Sequence, residues 1–406
     1  MQTVFAHRAN QVAEPLTGAV PTIRLLAAGV DAGEPTIGIL GDGRIAFEGW
    51  DRPSGATAGT ATISAIDPAT GASSILLAPG TLRTHDPYLW IDPSTNRMFT
   101  SHLQVPGELD EAKFCTVIKF SDDAGDTWED SARRCTATPE DRPRIITGPP
   151  VSSEPDGYPN LAYLCFQDDE AERGHLCAVS RDGGQSFDAP TAEAFAFDGR
   201  CNSSFGHPAI GQDGSIWLAT AGCQHVKVAV SHDEARSWVV MEPGGPPTNG
   251  EGEAGVAVDT DRGVYVVYTA IDRLPRLLIS SDGGHSWGEA MNVAPPGLKE
   301  ANIATMQVGG AGKLAIGYVG SLDAPGGEQD PGSTACLFQP CPDLTAWEHA
   351  TWHAWLTVTS DALTDSPRFT SALLNDPIAP IVRGNCGPGR CKSLADFLDV
   401  AINPAG

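Results

Sequence analysis

Ser280-Ser281-Asp282-Gly283-Gly284-His285-Ser286-Trp287 reads Ser-x-Asp-x-Gly-x-Ser-Trp, and the chain repeats it. Ser121 to Trp128 gives Ser-x-Asp-x-Gly-x-Thr-Trp, and Ser180 to Phe187 closes on phenylalanine instead. Ser231 to Trp238 carries Ala235 where the others have glycine. The aspartates Asp123, Asp182, Asp233 and Asp282 stand 59, 51 and 49 residues apart, the spacing of a repeat architecture. Locally, the Asp carboxylate accepts backbone N–H groups of its own turn. The glycine suits a position with φ > 0. The closing aromatic buries a large apolar surface as the next strand begins. Apolar runs such as Val226-Lys227-Val228-Ala229-Val230 and Leu277-Leu278-Ile279 lead into the motif, which therefore predicts a hairpin turn between two strands.

This motif resembles the Asp-box, or BNR repeat, of the sialidase (neuraminidase) superfamily. The resemblance implies an all-β propeller in which Asp123, Asp182, Asp233 and Asp282 are structural and lie away from the chemistry. The composition agrees, with 45 glycines, 32 prolines and 41% apolar residues in 406. The expected organisation is one propeller domain over residues 1–406, with insertions at 320–350 and 375–392 on the face where the innermost strands begin. Loops on such a face tend to carry function.

A net charge of −25, from 51 acidic and 26 basic residues, disfavours nucleic acid and anionic membranes as partners. No apolar run reaches the roughly 18 residues of a membrane-spanning helix. The ten cysteines fall in near-neighbour pairs: Cys115/Cys135, Cys165/Cys177, Cys201/Cys223, Cys336/Cys341 and Cys386/Cys391. None has the Cys-x-x-Cys spacing of a zinc site. They predict five local disulfides and a secreted or extracytoplasmic chain, with the connectivity open at this stage. Met1-Gln2-Thr3-Val4 shows neither the basic nor the apolar region of a signal peptide.

A second repeat surrounds the first: an acidic residue or His, often Pro, then an apolar alternation, a Gly turn and another strand. Its members begin at Glu34, Asp86, Asp141, His207, Glu253 and Asn302. Degenerate boxes appear at Asp67-Pro68-Ala69-Thr70-Gly71 and Thr359-Ser360-Asp361. A seventh innermost strand is expected over Phe397 to Ile402, and N-terminal strands, one before a turn at Glu14 to Gly18 and one at Thr22 to Leu26, are expected to close the ring against it. The expectation is seven blades, the last one strand short, with six as the alternative.

The starts of the innermost strands converge on a central mouth. They bring together Glu34, Asp86, Asp141, His207, Glu253 and Glu300, with His85, Arg142 and Asp399 nearby. These are the candidate ligand-binding groups, joined by Trp50 and Arg52. The bland reading is that they cap strands and solvate a wet channel. No cofactor is expected, although so many oxygens leave room for a structural Ca2+.

The superfamily resemblance implies an arginine triad for a carboxylate, a tyrosine nucleophile paired with a glutamate, and an acid/base aspartate. Glu253-Ala254-Gly255-Val256 matches the glutamate stretch. Gly33-Glu34-Pro35 stands where the first arginine belongs, Thr269-Ala270 stands for the second, and Asn302-Ile303 occupies the tyrosine position. Asp51, in Trp50-Asp51-Arg52, matches the acid/base loop loosely. The expected catalytic pair is therefore Glu253 and Asp51. A sialic-acid carboxylate facing so acidic a mouth is electrostatically disfavoured. Two readings stay open: a carbohydrate-active enzyme, hydrolase or lyase, and a non-catalytic propeller that binds a glycan or a protein. An exo-alpha-sialidase is the third. A monomer is expected.

Overall fold

The computed structural model describes residues 6–7, 23–29, 33–51, 59–78, 82–110, 112–131, 133–168, 172–197, 204–222, 225–248, 253–326, 347–384, 386–387, 390–391 and 398–403. For residues 6–7, 51, 386–387 and 390–391 only the backbone is described. Among these residues there is no α-helix, and the chain folds as a series of antiparallel meanders.

The first meander runs Gly33–Ile39, Ile45–Asp51, Gly59–Ile66 and Ser73–Leu77. The second runs Arg83–Ile91, Met98–Gln104, Phe114–Ser121 and Glu129–Asp130. The third is Asp141–Gly148, Leu161–Asp168, Arg173–Ser180 and Glu193–Phe195. The fourth is Ala209–Ile210, Ile216–Thr220, Lys227–Ser231 and Val239–Met241, and the fifth Gly255–Val258, Val264–Thr269, Pro275–Ser280 and Met291–Asn292. The sixth comprises Glu300–Gly310, Lys313–Ser321, Thr351–Thr359 and Thr370–Leu373. In each, strands pair in chain order. The first two meanders also join through Gly59 and Thr60, which pair with Thr84 and Arg83. The lead strands of successive meanders lie side by side, from Gly33–Ile39 through to Glu300–Gly310.

Sheets covered on both faces need strands that are apolar throughout. Leu161–Asp168 is buried along its whole length, as is Val264–Thr269. The core is accordingly a set of layers between neighbouring sheets. Trp217, Val228 and Val230 of the fourth sheet meet Val256, Val266 and Leu278 of the fifth, and similar clusters fill the other gaps. Each such side chain contributes about 1.5–3 kcal/mol by leaving water.

The repeated motif forms one turn between the third and fourth strands. In the copy at Asp282, the Ser280 hydroxyl donates to Asp282 Oδ1 at 2.8 Å and accepts the Gly284 N–H at 2.8 Å. The Ser286 N–H and hydroxyl donate to the two carboxylate oxygens at 2.8 and 2.6 Å. Asp123, Asp182 and Asp233 repeat these bonds. Ala235 adopts φ +61°, as Gly284 adopts +86° in its own turn. Glu234 beside it is also left-handed, at φ +62°, and its carboxylate accepts the N–H groups of Val151, Ser152 and Ser153 from the neighbouring sheet. That cap offsets the strain of a turn without glycine. The weaker copies work too: Asp67 accepts from Ala69 N, and Asp361 accepts from Arg368 N.

One further copy is split in sequence. Ser321 donates to Asp323 at 2.8 Å and accepts the Ala324 N–H at 2.9 Å. The N–H and hydroxyl that complete the turn come from Thr351, 28 residues beyond Asp323. The 320–350 insertion therefore leaves and re-enters between the second and third strands of the sixth sheet through a closed turn. Glu300 secures the same neck, accepting from Gly326 N at 2.9 Å and Trp347 Nε1 at 2.8 Å.

Two disulfides are present among the described residues, Cys115–Cys135 and Cys165–Cys177, each joining directly opposed strand positions. The backbones of Cys386 and Cys391 are also opposed. Their side chains, and Cys201, Cys223, Cys336 and Cys341, lie outside the described residues.

Both chain ends depart from the sequence expectation. Residues 398–403 are irregular rather than a seventh innermost strand. Asp399 is the physical reason: its carboxylate takes the N–H groups of Ile37 and Val400, which a sheet ladder would otherwise order. The segment wedges beside the sixth sheet, where Gly309 and Gly317 make room for Ile402 and Val400. At the other end Ile23–Arg24 pairs with Ala6–His7, not with the C-terminal segment. Arg24 is drawn outward, donating to Pro68 O at 2.6 Å.

Candidate functional site

Three lead strands open on an X-Pro step whose first residue is left-handed: Glu34 (φ +49°), Asp86 (+52°) and Arg142 (+53°). Ile303 (+55°) is the fourth, without the proline. Each coincides with a register shift in the first hairpin of its sheet. A bulged left-handed residue is disfavoured for any L side chain, at about 1–3 kcal/mol, and proline restricts the residue before it further. Strain repeated at one height of the structure marks the place where side chains are aimed for use.

The charges gathered there are unequal in number. Arg142 Nη1 donates to Glu253 Oε1 at 2.7 Å, and Arg144 Nη2 donates to the same oxygen. Arg144 is fully buried, donates to Phe205 O at 2.5 Å and lies over the rings of Tyr88 and Phe205. Gly206 allows this approach, since a Cβ there would stand 2.1 Å from Ala254 O. Both guanidiniums are thus engaged by one carboxylate.

The remaining acids crowd each other. Asp141 lies beside Asp86 and accepts from Gln167 Nε2 at 3.1 Å. Burial holds Asp86 well above the usual carboxylate range, and the charges of Glu34 and then Asp141 push it further, against the pull of Arg142. Asp86 is part-exposed as a residue, whereas Glu34 is buried. Acids crowded in this way favour the protonated form of Asp86.

Deeper, Tyr88 and His207 meet through Oη and Nδ1 at 3.4 Å, and His207 Nδ1 lies 3.4 Å from Asp399. Burial, with Arg144 nearby, holds His207 well below its ordinary range, and burial pushes Asp399 up to about 7. His207 is therefore neutral, and the contact is a hydrogen-bonding one rather than an ion pair. These three residues line a cavity of about 1170 Å³, together with Ile37, Thr147, Val256 and Met306 of the lead segments and with Ala401 and Ile402. Among the described residues no group of three or more His, Cys, Asp or Glu is arranged to hold a metal ion.

Of the residues singled out from sequence, Glu34, Asp86, Asp141 and Glu253 come together around Arg142, with His207 deeper. Glu300 serves the neck of the insertion. Trp50 is buried, its ring 6.4 Å from that of His85, and Tyr88, Trp347 and Trp352 are buried as well. The Asp51 side chain and Arg52 lie outside the described residues. Arg144 was not singled out, although a charged residue inside the run Arg144-Ile145-Ile146 is a signal, because a buried charge demands a partner. Its partner is Glu253.

No protein-family model matches the chain, and no curated protein matches it in sequence. Solved structures do match. An alpha-L-arabinanase of Penicillium chrysogenum, complexed with arabinobiose, is 13% identical with a TM-score of 0.50, over 71% of this chain and 88% of that one. At that identity the likeness is one of fold. A Hadza microbial sialidase, Hz136, matches at 14% identity and TM-score 0.49 over 75% and 68% of the two chains. The NanB sialidase of Streptococcus pneumoniae matches at 10% and 0.49 over 74% and 68%. Sialidases and arabinan-directed enzymes with sialidase-like propeller folds are thus the structural neighbours, as the repeated motif implied. At these identities the likeness concerns the fold.

Proposed function

We propose that this chain is a secreted six-bladed Asp-box propeller that cleaves a glycoside at its acidic mouth, with Asp86 as the proton donor. The lead strands form the inner ring, and residues 398–403 close it in place of a seventh blade. The observation that carries the reading is the gathering of Asp86, Asp141 and Glu34 at the strand starts, where burial and the neighbouring acids hold the part-exposed Asp86 well above the usual carboxylate range. Glycoside cleavage needs that combination, an acid for the leaving oxygen and a carboxylate facing the positive charge that develops on the sugar ring. Glu253, held by Arg142 and Arg144, takes the second role. Two disulfides favour an extracytoplasmic location. Because both arginines already serve Glu253, a neutral sugar fits this mouth better than a sialic acid.

The test is hydrolysis of aryl glycosides of neutral sugars alongside an aryl sialoside, with Glu253→Gln as control. Turnover of a neutral glycoside that the variant loses supports the reading. Turnover of the sialoside restores the exo-sialidase. Glycan binding without turnover across the panel assigns a binding propeller.

A further inference from the structure

Away from the mouth, four polar side chains form an enclosed file between the first and second sheets. Glu48 on Ile45–Asp51, Thr100 and His102 on Met98–Gln104, and Thr84 on Arg83–Ile91 are all fully buried. Thr100 Oγ1 lies 2.7 and 2.8 Å from the two Glu48 oxygens and 2.7 Å from His102 Nε2. His102 Nδ1 lies 3.1 Å from Thr84 Oγ1, which donates to His85 O at 2.9 Å.

Hydrogen-bond polarity, with the cost of separating charge in a closed site, decides where the protons sit. The single Thr84 hydroxyl proton goes to His85 O, so Thr84 accepts from His102 and Nδ1 carries a hydrogen. A neutral His102 then accepts at Nε2, which takes the Thr100 hydroxyl proton. Thr100 is left with lone pairs toward Glu48, so Glu48 supplies a proton and is a carboxylic acid. An ionised Glu48 beside a cationic His102 satisfies the same contacts, but it separates charge in a site closed to water. Burial accordingly pushes Glu48 up to about 8 and His102 down to about 3. Lys119, on the neighbouring strand Phe114–Ser121, adds to the second effect.

The file ends on the carbonyl of His85. That carbonyl belongs to the peptide unit whose rotation sets φ of Asp86, the left-handed residue that opens the mouth. We propose that Glu48 is a positioning residue for Asp86, acting in its neutral form through Thr100, His102 and Thr84 on the peptide that enters Asp86. This rests on the reading of Asp86 as proton donor. Loss of the Glu48 proton reverses the file. Thr100 then donates to Glu48, His102 donates through Nε2, and its Nδ1 takes the Thr84 hydroxyl away from His85 O. The peptide before Asp86 is released, and the Asp86 carboxyl relaxes from Glu34 and Asp141.

The test is the carboxyl-carbon NMR titration of Asp86 in the whole chain labelled at Asp, with the resonance assigned by Asp86→Asn. Thr84→Val is expected to lower the Asp86 midpoint by about one pH unit, a roughly tenfold loss of proton affinity. The wild-type resonance is expected to move again near pH 8, where Glu48 ionises, and to stay still there in Glu48→Gln, whose amide N–H keeps the file in one polarity. An unchanged midpoint in Thr84→Val overturns the proposal. Should that variant not fold, the comparison with Glu48→Gln decides alone: a step near pH 8 that persists in it also overturns the proposal. A wild-type midpoint in the ordinary carboxylate range sinks the proton-donor reading, whereas a raised midpoint insensitive to Thr84→Val sinks this one.

Discussion

Replacing Glu48 by Gln is expected to change how stability depends on pH in a way that few surface residues can. The ordinary values are 4.5 for Glu and 6.5 for His, and in the fold burial moves Glu48 up to about 8 and His102 down to about 3. A raised group contributes stability that is present below its unfolded value and lost as pH rises through its folded value. A lowered histidine contributes stability present above its unfolded value and lost as pH falls. Between pH 4.5 and 6.5 the folded and unfolded pairs bind the same number of protons, so the two effects cancel. Above pH 6.5 only the folded state holds the Glu48 proton. Over the next ~1.5 pH units, at about 1.4 kcal/mol each, the fold loses about 2 kcal/mol. For a chain of 406 residues that is about 2 °C in Tm. Calorimetric unfolding of wild type and Glu48→Gln, from pH 5 to 8.5, isolates this pair from other titrating groups. The variant should gain on wild type by about 2 kcal/mol between pH 6.5 and 8 and lose ground below 6.5, where His102 alone remains to titrate. Parallel curves would refute the neutral buried acid, and with it the hydrogen-bond polarity derived from it.

Glu234→Ala is expected to destabilise the fold by about 2–4 kcal/mol, because three backbone N–H groups of the neighbouring sheet lose their acceptor; denaturant unfolding measures it. Gly206→Ala should disturb the mouth without touching a charged group, since its Cβ meets Ala254 O beside Glu253. Activity, or ligand affinity, should then fall more than tenfold while Tm drops only a few degrees. Acid should unfold the chain through its turns. Hydrogen bonds from Thr127 and Ser121 hold Asp123 down to about 2, so the stability it provides is present above its unfolded value of 3.8 and is lost as pH falls toward 2. Asp182, Asp233 and Asp282 act in the same direction, and loss of near-ultraviolet circular dichroism below pH 4 is the readout.

The fold was readable because each motif is a local solution. The Asp282 carboxylate meets its partners Ser280 and Ser286 within four residues of chain, so a short pattern specifies the turn and its spacing specifies the sheets. The split turn was not readable, because Asp323 finds its last partner in Thr351 and the sequence pattern breaks at Pro325, where the motif has glycine. Residues Phe397 to Ile402 alternate like a strand. Whether they pair depends on Asp399, whose carboxylate captures Ile37 N–H from the far end of the chain. The mouth was readable in part for the same reason as the turns: an acid or arginine before proline heads three of the lead strands, at Glu34, Asp86 and Arg142. What sequence could not assign was the division of labour. Glu300 looks like Glu34 in pattern but serves the insertion neck. Arg142 and Arg144 look available for a ligand, yet both are spent on Glu253. The Glu48 file was invisible because Glu48 belongs to the first sheet and Thr84, Thr100 and His102 to the second, and the two meet only after the sheets stack.

Hydrolysis of a neutral aryl glycoside by wild type and Asp86→Asn, across leaving groups from nitrophenol to phenol, tests the central claim most directly. Removing a proton donor costs about 10²–10⁴ in rate where the leaving oxygen needs protonation and much less where it does not. The account predicts a loss in Asp86→Asn that grows steadily as the leaving group worsens. A uniform loss, or none, would contradict Asp86 as the acid and return the mouth to a binding site.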